Sequence, residues 1–199
     1  MPRPKQRTPE LRDRVLRVAV EMLSKEGVAG LTTRRLAEEA DTSTPAVYEL
    51  FGDKAGLVRE ILVEGFRQLR RSFDDLVETR HPRADLVCVV QAFRRFVLAN
   101  PELSEVMFSR PFADFDPGPS ELEVGKGVRL FIVGHVRRCI DAGILVGNET
   151  DIAHVLVSLA QGLAATERAG WLGRSKTSVD RRWDLAIRAV LDGMRDSNA

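Results

Sequence analysis

Between Thr32 and Asp53 the chain carries two full sets of helix start and stop signals in close succession, and this constrains its fold more than any other feature. Thr32 reads as the N-cap of a short helix, Thr33 to Ala40, with Leu36, Ala37 and Ala40 on one side. Asp41 follows, a residue type that tolerates the left-handed backbone of a tight turn. Thr42-Ser43-Thr44-Pro45 supplies a second cap with proline in the first turn, and the helix it opens runs through Phe51 to a stop at Gly52. Two brief helices about three or four residues apart have helix-turn-helix spacing, in which the second can enter a major groove while the first braces it. Leu36, Ala37, Val47 and Phe51 are expected to clamp the pair, with small Ala37 permitting a close crossing.

The flanking sequence is helical as well. Thr8 caps a first helix, Pro9 suits its first position, Glu10 complements the dipole, and Leu11, Val15, Val18, Ala19 and Met22 recur at helical steps before Gly27 ends it. Asp53 caps a long fourth helix with Leu57, Ile61, Leu62, Phe66, Leu69 and Phe73 as its buried stripe. Beyond His81-Pro82, helices are expected over 83–99 (Leu86, Val90, Phe93, Val97), 101 to about 110, 121–142, 150–170 and 178–195, with Gly143, Gly147 and Gly173 as punctuation. The proline-rich stretch Pro111 to Ser120 reads as a loop, either a lid or a plain connection. No segment alternates as a strand. The expected fold is all-α, about nine helices, with an N-terminal three-helix helix-turn-helix domain over 8–70 (motif about 32–51) and a larger helical domain over 71–199.

Charge and motifs narrow the function. Residues 1–71 hold 14 Lys/Arg against 11 Asp/Glu, while the remainder holds 16 against 18. The first seventeen residues carry Arg3, Lys5, Arg7, Arg12, Arg14 and Arg17 against Glu10 and Asp13. Such a basic end fits a locally anionic partner or a solvated tail equally well. No apolar run approaches the roughly 20 residues that span a bilayer, and no apolar stretch follows the basic start as in a secretory signal, so a cytoplasmic protein is expected. Cys88 and Cys139 lack metal-ligand spacing and are expected to pack as small hydrophobes; neither a metal nor a cofactor is expected. Phosphate-binding glycine motifs, H-E-x-x-H and G-x-S-x-G are all missing, and the three histidines lie far apart. Nothing argues for an enzyme.

The run Thr32-Thr33-Arg34-Arg35-Leu36-Ala37, then Pro45-Ala46-Val47-Tyr48-Glu49-Leu50-Phe51, then Asp53-Lys54 and Leu57 resembles the DNA-binding segment of the tetracycline-repressor (TetR) family. The close resemblance covers about residues 8–70, and Asp151 through Gly170 resembles the penultimate, dimer-forming helix of some subgroups. It implies that Thr33 and Arg34 meet DNA at the start of the second helix. It also implies that Thr44, Pro45, Ala46, Tyr48 and Glu49 lie on the groove-facing side of the third, and that Lys54 holds a phosphate. Two departures stand out: Asp41 where a glycine is usual, and Leu50 where an aromatic or histidine often touches the backbone.

Physical chemistry bears on the same residues independently. Lys54 puts a cation at the positive end of a helix, at a cost of roughly 0.3–1 kcal/mol that a bound phosphate would reverse. Tyr48 lies off the clamp face, where its hydroxyl can reach a phosphate or base edge; the alternative is a ring covering the helix junction. Glu49 beside DNA needs a donor such as the cytosine amino group. The third helix holds no Arg or Lys, so base reading falls to Thr44, Ala46, Tyr48 and Glu49 and affinity to the flanking cations.

Two DNA heads need a two-fold interface, so a homodimer is expected through Ile152, Val155, Leu156, Leu159 and Leu163 on one helix and Trp183, Ile187, Val190 and Met194 on the next. The alternative is that these stripes are intrachain core. Phe93, Phe96, Met107, Phe108, Phe131, His135 and Trp171 form the candidate pocket for a small-molecule effector, with His135 equally readable as a satisfied core residue. The family mechanism is a repressor that leaves a pseudo-palindromic double-stranded operator when the effector binds. A helical protein-interaction module without DNA binding is the alternative, and an all-α enzyme a more distant one.

Overall fold

A computed structural model describes residues 8–109 and 115–195. Among these are nine helices and no strand: α1 (Pro9–Gly30), α2 (Thr33–Glu39), α3 (Thr44–Phe51), α4 (Lys54–Arg71), α5 (Pro82–Ala99), α6 (Pro101–Phe108), α7 (Pro119–Asp141), α8 (Glu149–Arg168) and α9 (Lys176–Gly193). None of these helices is long and apolar enough to cross a membrane. The basic residues Arg3, Lys5 and Arg7, and residues 111–114 of the expected loop, lie outside the described residues. The chain divides into two compact units, one of Met1–Gln68 with Asn100–Gly125 and one of Leu69–Ala99 with Lys126–Ala199.

In the first unit the expected signals act where they stand. Thr8 accepts the Leu11 N–H at 3.3 Å to start α1, and Pro9 occupies the first turn. Gly27 takes φ 68°, ψ −175°, interrupting the helix where the sequence placed its end, before one more turn closes at Gly30. Val15, Leu16, Ala19, Met22 and Leu23 form the buried face of α1, which packs on α2 and α6. The Arg12 guanidinium lies 5.4 Å from the Phe51 ring and pairs with Glu60, tying α1 to α3 and α4. Gly65 lets α6 lie directly on α4, because a Cβ there would run into Met107 and Leu103.

The second unit is built on α5, most of α7, α8 and α9. Leu86, Val89, Val90 and Phe93 of α5, Ile132 and Val136 of α7, Leu156 and Ala160 of α8, and Trp183 and Ile187 of α9 are buried. A polar network with no sequence signature crosses this core. Arg94 donates to Glu167 at 2.9 and 3.1 Å and to Asp180 at 2.9 Å, lies over the Trp183 ring at 4.7 Å, and Trp183 donates its indole N–H to the same Glu167 at 2.7 Å. Buried Asp85 accepts from the Thr79 N–H and hydroxyl, both at 2.8 Å, and from Arg138 at 2.9 Å. Burial alone would raise its pKa; the Thr79 and Arg138 bonds overcome that and hold it below the ordinary aspartate value. Of the two thiols expected inside, only Cys139 is buried. Cys88 is exposed, because its position on α5 lies between the core residues Leu86 and Val90 and faces outward.

Candidate nucleic-acid interface

The turn between α2 and α3 is a left-handed helix cap built on an aspartate. Asp41 has φ 47°, the one positive value at a non-glycine among the described residues. Its N–H donates to the Glu38 carbonyl at 3.2 Å, and the Thr42 N–H reaches back to Ala37 at 2.9 Å, closing a Schellman motif over the end of α2. Ser43 then accepts the Ala46 N–H at 3.3 Å to start α3. Both helices are thus fixed at the turn by backbone bonds, while Leu36, Ala37, Val47 and Phe51 are buried at their junction as expected.

The register of α3 sorts its side chains by face. Val47 and Phe51 point inward. Thr44 is half-buried, Pro45 and Glu49 are exposed and Tyr48 is 50% exposed, so these four form one contiguous outward patch at helical spacing. Ala46 sits on the inner edge, 8% exposed, with its N–H already taken by Ser43. Leu50 is half-buried beside it. The patch offers a hydroxyl, a phenol and a carboxylate, a set that can bond base edges but brings no positive charge.

Charge comes from the flanks, and the structure separates two adjacent arginines. Arg35 makes a two-pronged pair with Glu26, one prong at 2.7 Å, and so fastens α2 to α1. The hydrogen bond with Arg35 lowers the Glu26 pKa and raises that of Arg35. Arg34 pairs with Glu38 one turn on, at 3.2 Å, with the two side chains 86% and 63% exposed. Such a surface pair contributes roughly 0.3–0.5 kcal/mol, little enough for a phosphate to displace. Thr33 is half-buried beside it, at the first turn set by the bond from the Arg35 N–H to Thr32.

At the start of α4, Asp53 accepts the Gly56 N–H at 2.7 Å and its carbonyl accepts Leu57. Gly56 is required here, since a Cβ would fall on the Phe51 carbonyl oxygen. The Lys54 ammonium donates to the Val28 carbonyl at 3.2 Å, so the cation that looked mismatched with its own helix is compensated by the carbonyl end of α1. Lys54 stays exposed, and an ammonium has three donors, so two remain for a phosphate.

The candidate residues of the second half are distributed differently from the expectation. Ile152, Leu156, Trp183 and Ile187 are buried in the protomer's own core, which leaves them no surface for a partner. Val155 is 43% exposed, while Leu159, Leu163, Val190 and Met194 are half-buried. Met107 and Phe108 belong to the first unit, where Met107 meets Gly65 and Phe108 stands edge-on to Phe66 at 5.8 Å. Phe93, Phe96 and His135 are buried in the second, and Trp171 is 86% exposed in the turn after α8. His135 bonds the Phe131 carbonyl at 3.0 Å and packs on the Phe131 ring, as a satisfied core histidine does. The void beside Phe93 measures about 10 Å³, roughly one water.

Comparison with known proteins agrees with this geometry. Residues 15–61 match the domain of bacterial regulatory proteins of the tetR family, and residues 86–190 match the tetracyclin repressor-like C-terminal domain. The tetracycline repressor protein class C of Escherichia coli is 27% identical over 196 residues, 94% of this chain and 84% of that protein. The HTH-type transcriptional repressor KstR of Mycolicibacterium smegmatis is 26% identical over 189 residues, 92% of this chain and 87% of that one. Among solved structures, a Rhodococcus sp. RHA1 protein of unknown function superposes with a TM-score of 0.80 at 27% identity, covering 98% of this chain and 100% of that one. A TetR protein of Acinetobacter baumannii AYE in complex with minocycline gives 0.64 at 20% identity, covering 92% and 97%. With both halves matched and the outward face of α3 held clear of the core, the chain belongs to the tetR family of DNA-binding bacterial transcriptional regulators.

Proposed function

We propose that the chain is a repressor that grips a pseudo-palindromic operator as a homodimer and releases it when a small molecule binds its C-terminal half. The observation that carries this is the outward patch of half-buried Thr44 and exposed Pro45, Tyr48 and Glu49, on a helix whose opposite side is locked into the first unit. Thr44, Tyr48 and Glu49 read base edges, with Ala46 limited to van der Waals contact. Thr33, Arg34 and Lys54 hold phosphates. DNA binding resides in residues 8–70, with 71–199 carrying effector binding and dimerisation in the cytoplasm, where the operator is.

Two-fold pairing through the outward sides of α8 and α9 suits this role. Val155 and Leu185 are exposed apolar residues there, and half-buried Leu159 and Leu163 continue the α8 stripe. Two helices from each protomer make a four-helix bundle and fix the spacing of the heads. The named repressors among the relatives support the repressor reading, and the minocycline complex shows that one protein of this fold holds a small molecule. An effector acts only through its difference in affinity between DNA-competent and released shapes. The test is titration of a mixed-sequence duplex at several salt concentrations. Affinity that falls steeply with salt supports DNA binding, and a salt-independent or absent signal refutes it.

A further inference from the structure

A groove of about 650 Å³ opens between the first two turns of α5 and the C-terminal half of α9, within the second unit. That size falls in the range of small-molecule sites, roughly 300–1,000 Å³. Ala84, Val87 and Ile187 give it an apolar floor, and Arg83, Arg188 and Asp184 give it a charged rim.

The rim is built from cations whose donors are only partly used. Arg83 spends Nη2 on Asp192 at 2.6 Å, while its Nη1 is sealed from solvent with no acceptor. A buried donor without a partner costs free energy, which an acceptor brought to it would offset. Arg188 spends Nε on the Asp184 carbonyl at 3.2 Å, and among the described residues no bond holds the two terminal nitrogens of its exposed fork. His81 accepts from Arg80 at 3.4 Å, which brings a third guanidinium to the same end of α5. Asp192 is shared with Arg195 at 3.6 Å, so Arg80, Arg83, Arg188 and Arg195 outnumber Asp184 and Asp192, and this positive excess suits an anion.

We infer that this groove binds a small apolar monocarboxylic acid, its carbon skeleton on Ala84, Val87 and Ile187 and its carboxylate toward Arg83 and Arg188. A guanidinium fork matches a carboxylate in shape and charge, and the apolar floor takes the chain that a purely ionic site would reject. The inference does not rest on operator binding, because occupancy is read without DNA.

Cys88 provides the readout. It lines the groove and is exposed, whereas Cys139 is buried and burial pushes its thiol pKa up, which slows its reaction. Labelling with N-ethylmaleimide, followed by mass spectrometry, therefore reports on the groove. Decanoate should slow Cys88 labelling saturably, at concentrations at least about tenfold below those required of decanamide. Arg188→Gln spares the Arg83–Asp192 pair, so it serves if Arg83→Gln perturbs folding; each should raise the decanoate requirement about tenfold and leave decanamide unchanged. Equal protection by acid and amide, or no saturable protection, overturns the proposal. So does protection that grows with protein concentration in the absence of probe, which would assign the groove to contact between copies of the chain.

Discussion

Replacing Lys54 by alanine separates two roles that the structure gives one side chain. In the fold, the ammonium donates one bond to the Val28 carbonyl at 3.2 Å in an exposed setting. Losing a hydrogen bond costs about 0.5–1.5 kcal/mol, toward the lower end where water replaces it. Removing a cation from a helix N-terminus returns roughly 0.3–1 kcal/mol. The two nearly cancel, so thermal stability should hardly change. On DNA, each neutralised phosphate contributes about 0.9 to the slope of log K against log salt, so two heads should lose about 1.8 together. Fluorescence anisotropy on a labelled duplex across a salt series measures the slope, and Lys54→Arg should retain it. An unchanged slope with a lowered melting temperature would refute the phosphate role and make Lys54 a strut between α1 and α4.

Three further outcomes follow from the same geometry. Tyr48→Phe removes a hydroxyl from a ring that is half exposed, so stability should hold within about 0.5 kcal/mol while DNA binding weakens by about 1 kcal/mol per head; unchanged affinity would assign the ring to covering the helix junction. Gly56→Ala, normally favourable in a helix by up to about 1 kcal/mol, should instead cost about 1–3 kcal/mol in denaturant unfolding and weaken DNA binding, because its Cβ meets the Phe51 carbonyl; a stabilised variant would refute this. Asp85→Ala should destabilise the chain by about 1–3 kcal/mol at neutral pH, by leaving the Thr79 N–H and hydroxyl without their acceptor and taking away one of the acceptors of Arg138. Because the folded pKa of Asp85 is depressed, its contribution is present above the ordinary aspartate value of about 3.9 and fades only as pH falls below that through the lower folded value, so the gap between wild type and variant should narrow across that fall; a gap that stays constant through it contradicts the pairing.

What was legible in the sequence is what local chemistry decides. Thr8, Thr32, Ser43 and Asp53 each accept a backbone N–H within three residues, so the caps that mark helix starts are visible without knowledge of the fold. Asp41 and Gly27 likewise announce positive φ. Burial at the α2–α3 junction followed from periodicity, and so did the outward position of Tyr48; the family resemblance put Ala46 on the groove-facing side, whereas the structure has it at the inner edge, 8% exposed. Tertiary partners stayed hidden. Arg94, Glu167 and Asp180 converge from three helices, Lys54 finds a carbonyl on α1, and Gly56 is demanded by a backbone approach that no motif records. The apolar stripes of α8 and α9 were visible, yet periodicity could not tell core from interface; the structure assigns Leu156 and Trp183 to the core and leaves Val155 exposed. For the same reason Met107 and Phe108 could not be separated in advance from Phe93, nor could Trp171 be known to stand in solvent.

The central claim is that α3 of this chain reads double-stranded DNA in two symmetric copies. Selection of bound sequences from a pool of random duplexes, repeated with Tyr48→Ala, tests it most directly. Two half-sites in inverted repeat, spaced so that their major grooves face the same side, should emerge for the wild-type chain, with the preference relaxed at particular positions in the variant. Recovery of no common sequence, or of one that Tyr48→Ala leaves untouched, would contradict the assignment of α3 as the reading element.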